Sequence, residues 1–281
     1  MNTQALCHFP FQQVRVTPDA GVTCCHYQKP SLQRPLVVIG NLEQSNFNDV
    51  WFGHLAEEVR AGVVTGQLHR NCRMAGCPVY AGSCEYRQVD YGEFPSILEL
   101  DDLGSGLSLR PQMPKLRPVM PGLRKLHCNL GNPFDGTLLA MLNDLGFREH
   151  ATKIHFSVNT PAPMFPGDLR ECLDYLSESA SVRINLQSLV DLGLLASYRR
   201  YDRQTIGFLL EVNPDALESY IWLAGEGLRH KVDGITLYSS ADKVTAANAG
   251  LLRRADLVLR QIKGVTLLNR LDHGRFRQQT L

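Results

Sequence analysis

The sequence predicts an α/β protein: a small N-terminal cysteine-rich domain, built from a β-hairpin plus a helix, followed by a partial (β/α) barrel with parallel strands. Two observations predict it. Of the eight cysteines, at 7, 24, 25, 72, 77, 84, 128 and 172, six fall within the first 84 residues. From Pro95 onward, short apolar strand candidates recur near Ile97, Leu126, Ile154, Val182, Ile206, Ile235 and Val265, at intervals of 24 to 30 residues. That spacing fits one strand plus one helix per unit, and an alternating chain of this kind builds a parallel sheet, open or curled. The cysteine-bearing N-terminal part and the onset of the repeat at Pro95 set the expected domains at 1–90 and 95–281.

In the first domain, Val14 and Val16 alternate with polar neighbours, Thr17 to Gly21 has turn chemistry, and Val22 starts the return strand. A hairpin here brings Cys7 towards Cys24 or Cys25. A helical stretch with Leu55, Val59 and Val63 then leads to Cys72 and Cys77. Two early and two late thiolates around a helix can supply four sulfur ligands, which suits zinc or an iron-sulfur cluster. Spacing does not choose between the metals. Cys128 and Cys172 fit core positions, Cys172 on an amphipathic face with Leu169, Leu173 and Leu176.

In the second domain, Leu138, Leu142 and Leu145 share a helix face ending at Gly146, and Asn213-Pro214-Asp215 starts a helix carrying Leu217, Ile221, Ala224 and Leu228. Val244, Leu251, Ala255, Val258 and Ile262 line another. Gly104 to Pro121, with four prolines, is the one long irregular stretch. Ligands of such folds meet the C-terminal ends of the strands. Here those ends carry Asn129 and Asn132, Asn159, Gln187 and Ser188, Glu211 and Asn213, Ser239 and Ser240, and Asn269. They are able to hydrogen-bond a small polar ligand, and they are equally ordinary turn and cap residues.

Composition excludes several classes. Lys plus Arg number 29 against 28 Asp plus Glu, a net charge of +1, so no general field draws in nucleic acid or an anionic membrane. The longest apolar runs fall far short of the ~18 residues of a membrane span, and the first seven residues lack a basic stretch followed by an apolar one. A cytoplasmic protein is expected. Phosphate-loop and nucleophile-elbow motifs are absent, and Gly104-x-Gly106 precedes Pro111 rather than a helix start. Arg253-Arg254 and the Arg270 to Arg277 tail read as a helix face and a frayed end.

The run Cys7-x-x-Pro10-Phe11, Pro18-Asp19, Val22, Cys24-Cys25, Ile39-Gly40-Asn41-Leu42, Trp51, Arg60, Gly66 and Cys72-x-x-x-x-Cys77-Pro78 resembles a SPASM domain, the accessory cluster domain of many radical S-adenosylmethionine enzymes. The resemblance implies an auxiliary [4Fe-4S] cluster held by Cys7, one of Cys24 and Cys25, Cys72 and Cys77, with the family's spacing favouring Cys25. Cys84 is a bystander or a substitute. His8 and His26 flank the implied ligands, placed either to replace or tune one or simply to pack or be solvated.

A second stretch, Leu126 to Phe134 and then Ile154 to Thr160, is similar to two strands of a radical S-adenosylmethionine barrel. Where that family has a Gly-Gly-Glu-Pro turn, this chain has Gly131-Asn132-Pro133 without the acid. Nor does any C-x-x-x-C-x-x-C triplet occur; the strand Ile97 to Asp101 runs into Leu103-Gly104-Ser105-Gly106 with no cysteine. The resemblance therefore implies a degenerate barrel without the cofactor-cleaving site. An accessory or electron-transfer role is expected, beside a radical S-adenosylmethionine enzyme or another protein partner. The rival expectation is a barrel enzyme with structural zinc and a polar strand-end site, using Glu211, His127 or Asp101 as acid or base. A third is an interaction module with neither chemistry.

Overall fold

The computed structural model describes residues 2–24, 37–70, 85–102, 109–130, 136–160, 166–186, 204–211, 234–238 and 265–268. The chain divides into two compact units, Met1–Phe156 with Glu178–Ala180, and Ser157–Ser177 with Ser181–Leu281.

In the first unit, strand β1 (Asn2–Ala5) is followed by a one-turn helix α1 (Phe9–Gln12), which Pro10 opens because its fixed φ and missing N–H suit a first turn. The expected hairpin follows as β2 (Gln13–Val16) and β3 (Gly21–Thr23), paired antiparallel from Arg15↔Thr23 to Val16↔Val22. Its turn is closed from inside: Thr17 N–H donates to Gly21 O at 2.9 Å, and the Thr17 hydroxyl bonds Gly21 O and Asp19 Oδ1. A Cβ on Gly21 would stand 2.8 Å from Thr17 Oγ1, so this position accepts no side chain.

Strand β4 (Val38–Asn41) continues the antiparallel set, and the Gly40-Asn41 pair in it acquires a physical reason. A Cβ on Gly40 would lie 2.7 Å from both Val50 methyls, so glycine lets the next helix sit close. Asn41 donates to Asp19 O at 2.8 Å and accepts from Glu43 N–H at 2.7 Å, tying the strand end to the hairpin turn. Helix α2 (Phe47–Trp51) starts at Asn46, whose side chain accepts from Asp49 N–H at 2.9 Å. Helix α3 (His54–Thr65) buries Ala56, Val59 and Val63 along one face and stops at Gly66, whose φ of 81° few other residues adopt. Strand β5 (Arg87–Asp90) pairs antiparallel with β1.

Strands β6 (Ile97–Asp102) and β7 (Lys125–Leu130) open the predicted repeat and pair parallel, Ile97↔Lys125 through Asp102↔Leu130. The hairpin joins them in one sheet: β2 pairs parallel with β6, Gln13↔Ile97 through Val16↔Leu100, giving the order β4-β3-β2-β6-β7. Alternation in β2 suggests a strand with one solvated face, yet all four of its residues are buried, because it lies between β3 and β6.

The stretch expected to be irregular is helical from Arg110 to Gly122. It holds a 3₁₀ turn (Arg110–Gln112), helix α4 (Met113–Leu116) and a second 3₁₀ segment (Arg117–Gly122). Pro111, Pro114 and Pro118 each sit at the first turn of a segment, where proline is tolerated, and each limits the segment before it. Met113, Leu116, Val119 and Met120 point inward. Helix α5 (Thr137–Leu145) runs between left-handed Gly136 and Gly146 and buries Leu138, Met141, Leu142 and Leu145. Each such side chain contributes about 1.5–3 kcal/mol. Strand β8 (His155–Thr160) begins with His155 N–H donating to Arg124 O at 2.8 Å.

The second unit contains helix α6 (Pro166–Tyr175) and a parallel sheet of β9 (Ser181–Leu186), β10 (Gln204–Glu211), β11 (Gly234–Tyr238) and β12 (Val265–Leu268), in that order. Every strand candidate of the repeat thus coincides with or adjoins a strand, in a mixed α/β architecture whose sheets are mostly parallel. The helices expected after Asn213 and over 241–262 lie outside the described residues. Cys172 is buried beside Leu173 and Leu176.

Candidate functional site

Two groupings in the first unit carry unusual chemistry. The first surrounds α3. Cys7 is half-buried between β1 and α1, packed against a cluster of Ala5, Phe11, Val63 and Val89 together with Leu68 and Tyr91. Leu6 N–H holds that segment to Val63 O at 3.0 Å. Cys24 follows β3 and is buried. His8 lies against Phe9, ring centroids 4.3 Å apart, and burial followed by the charge of Arg87 lowers its pKa from the ordinary histidine value.

Arg60, one turn before Val63 on the same face of α3, links these segments. Its Nε donates to Pro10 O at 2.9 Å, three residues after Cys7, and its Nη1 to Trp51 O at 2.8 Å. The guanidinium lies over the Trp51 ring at 4.0 Å, and that ring is itself fixed by Nε1 donating to Glu93 O at 2.9 Å. Burial lowers the Arg60 pKa, opposed by the nearby Cys24, Glu57 and Tyr91. Its remaining nitrogen, Nη2, is buried and has no hydrogen-bond partner.

Of the implied ligands, the structure describes Cys7; Cys25, Cys72 and Cys77 lie outside the described residues, as do Cys84 and His26. Among the described residues no group of three or more His, Cys, Asp or Glu is arranged to hold a metal. The residues present do fit an iron-sulfur group. Half-buried Arg60 keeps one buried N–H without a hydrogen-bond partner and has the Cys24 thiol nearby, and such an N–H is the kind of donor an electron-rich sulfur accepts from.

The second grouping is a polar face on β2, β6 and β7. Parallel register sets Arg15 beside Glu99, Glu99 beside His127, and Asp101 beside Asn129. Gln13 Nε2 donates to Glu99 Oε2 at 3.2 Å, and Arg15 Nε to Asp101 Oδ2 at 2.6 Å, an oxygen that also accepts from Arg15 Nη2. Asn129 Nδ2 donates to both carboxylates, to Glu99 Oε1 at 3.1 Å and Asp101 Oδ1 at 2.6 Å. Gln13, Arg15, Glu99 and Asp101 are 4%, 6%, 8% and 4% exposed. The opposite face is the apolar set Val14, Val16, Leu98, Leu100, Leu126, Cys128 and Leu130. Withdrawing ions from water is costly unless each is paired, and here all four carboxylate oxygens of Glu99 and Asp101 accept within a network spanning three strands.

Of the strand-end candidates, Asp101 and Asn129 meet in this network and His127 is half-buried on the same strands. Asn159 is half-buried on β8, and Glu211 ends β10 opposite Tyr238 of β11. Asn132, Gln187, Ser188, Asn213, Ser239, Ser240 and Asn269 lie outside the described residues. Sequence reasoning missed Gln13, Arg15 and Glu99 as partners. Their signal was polar residues alternating with apolar ones on two strands, which identifies a face without saying that it is buried.

Residues 7–78 match the family model of SPASM, an iron-sulfur cluster-binding domain. No curated protein and no solved structure matches the chain.

Proposed function

We propose that this is an iron-sulfur protein related to the radical S-adenosylmethionine and SPASM enzymes but without the site that cleaves the cofactor. Residues 1–90 form the cluster domain, and 95–281 a degenerate partial barrel. Cys7, Cys25, Cys72 and Cys77 hold the [4Fe-4S] cluster, with Cys24 the neighbour that could take the place of Cys25. When bound, the cluster supplies one-electron transfer at a potential set by nearby hydrogen bonds and charge. The chain acts as an accessory or electron-transfer subunit in a cytoplasmic setting, beside a radical S-adenosylmethionine enzyme or another protein. The carrying observation is the match over 7–78, which opens on Cys7 and closes just beyond Cys77. No helix among the described residues is long and apolar enough to cross a membrane.

The test is anaerobic purification with iron, sulfide and zinc analysis and a visible spectrum, on the native chain, Cys7→Ala and Cys72→Ala. About four irons and four sulfides, with a shoulder near ~400 nm that both substitutions abolish, is the expected result. Zinc alone, or no metal, overturns it.

The buried network of Arg15, Glu99, Asp101 and Asn129 favours a second reading, in which the polar face serves a barrel enzyme and the cysteines hold structural zinc. Asp101, His127 and Glu211 are then the acid-base candidates for a small polar substrate. Zinc in the metal analysis, together with a small molecule released on denaturing the native protein, would support that reading over the first.

A further inference from the structure

Arg60 has five N–H donors and uses them unevenly. Nε and Nη1 are bound to backbone carbonyls on two different segments, and the flat face is pressed on Trp51. A guanidinium so held cannot swing to find water, yet Nη2 is enclosed without an acceptor. A buried charged donor left unmade is penalised by its full desolvation cost, so such an atom marks the place of a partner that completes it. Three groups act electrostatically on Arg60: Cys24, Glu57 and Tyr91. Glu57 is exposed on the solvent side of α3 and Tyr91 is half-buried against the Cys7 cluster, whereas Cys24 is buried. The cation therefore stands between the Cys7 segment, through Pro10 O, and the Cys24 end of the hairpin.

We infer that Arg60 is a positioning residue for the cysteine-held cluster, its Nη2 donating to a thiolate or sulfide sulfur and holding the reduction potential up. This rests on the reading that the cysteines bind an iron-sulfur cluster. In the step concerned, the 2+ cluster takes one electron from an external reductant and becomes 1+; no bond breaks and no proton moves, since arginine stays charged on both sides. A fixed cation and an N–H donor both favour the more electron-rich state, so both raise the potential. Trp51 and the two carbonyls keep the charge in place, which is why the site uses arginine where a flexible lysine would leave the fork unfilled.

The experiment uses the full chain, reconstituted anaerobically, as native protein, Arg60→Gln and Arg60→Lys. Each is titrated with a europium(II) chelate and the reduced cluster is followed by electron paramagnetic resonance. Arg60→Gln should lower the reduced-to-oxidised ratio at a fixed potential by about tenfold or more, which is about 59 mV for one electron. Arg60→Lys, keeping the charge but losing the second nitrogen, should fall between the two. Equal midpoints in native protein and Arg60→Gln, both fully loaded with iron, overturn the inference while leaving the cluster reading intact. If Arg60→Gln fails to load, Arg60→Lys decides alone: a lowered midpoint supports the inference and an unchanged one overturns it. A native chain that binds no iron removes the reading beneath it.

Discussion

Two arginines withdrawn from water meet different fates in the same unit. Arg15 ends in a closed network: its charge is met by Asp101, and both carboxylates are shared with Gln13 or Asn129. Arg60 is gripped as firmly, by Pro10 O, Trp51 O and the indole ring, but among the described residues only the exposed Glu57 carboxylate acts on it from nearby, and one nitrogen stays unused. The first arrangement is complete within the chain; the second is complete only with something added. A buried charge is thus not a sign of function in itself, and what separates the two is whether the fold supplies the partner.

The comparison breaks most readily at the closed network. Asp101→Ala takes from buried, charged Arg15 the carboxylate it donates to, and should cost ~3–5 kcal/mol in urea denaturation, while the double variant Arg15→Met with Asp101→Leu recovers most of the loss. A single-variant cost under about 1 kcal/mol would mean that water reaches the face freely. A smaller effect is expected at the open site. In the metal-free chain Arg60→Gln gives up hydrogen bonds to neutral carbonyls and a ring contact, and should lose only about 1–2 kcal/mol by the same measurement. A loss matching that of Asp101→Ala would mean the two sites do not differ. Smaller again is Asn46→Ala, which removes the cap of the helix carrying Trp51 and should lower stability by about 1 kcal/mol.

The cysteines sharpen the contrast without any change in stability. Burial, and then the charge of Glu171, pushes the Cys172 thiol up to about 12. Its folded value lies above the unfolded one, so at pH 8 the native thiol is almost wholly protonated and only unfolding exposes a reactive fraction. Iodoacetamide at pH 8 should therefore leave Cys172 unmodified in the native metal-free chain and label it in urea, while half-buried Cys7 is labelled in both. Native labelling of Cys172, read by mass spectrometry of its peptide, would contradict its burial.

Much of the architecture was legible in the residues. The spacing of apolar runs located β6 to β12, Gly146 and Gly66 mark helix ends, and Thr17 to Gly21 is a turn in both readings. The stretch 110–122 was not legible, because four closely spaced prolines look like a break, whereas three of them open successive short turns. For the candidate site, Cys7, Gly40-Asn41, Trp51 and Arg60 stood out as a motif, but the motif carries no reason. The structure supplies reasons for three of them: Gly40 for the closeness of Val50, Asn41 for the hairpin turn, and Trp51 as the platform beneath Arg60.

Local pattern was enough to establish strand and helix periods, caps and an uneven supply of thiols, because those depend on neighbours within a few residues along the chain. Pattern could not say that β2 lies against β6, nor therefore that Arg15 meets Asp101 across 86 residues or that Arg60 reaches Pro10 across 50. A two-residue period names the face on which a side chain stands and leaves open which strand stands beside it. That choice is made when whole elements dock, by the burial and pairing available in the assembled sheet, and it turned two ordinary arginines into one closed site and one open one.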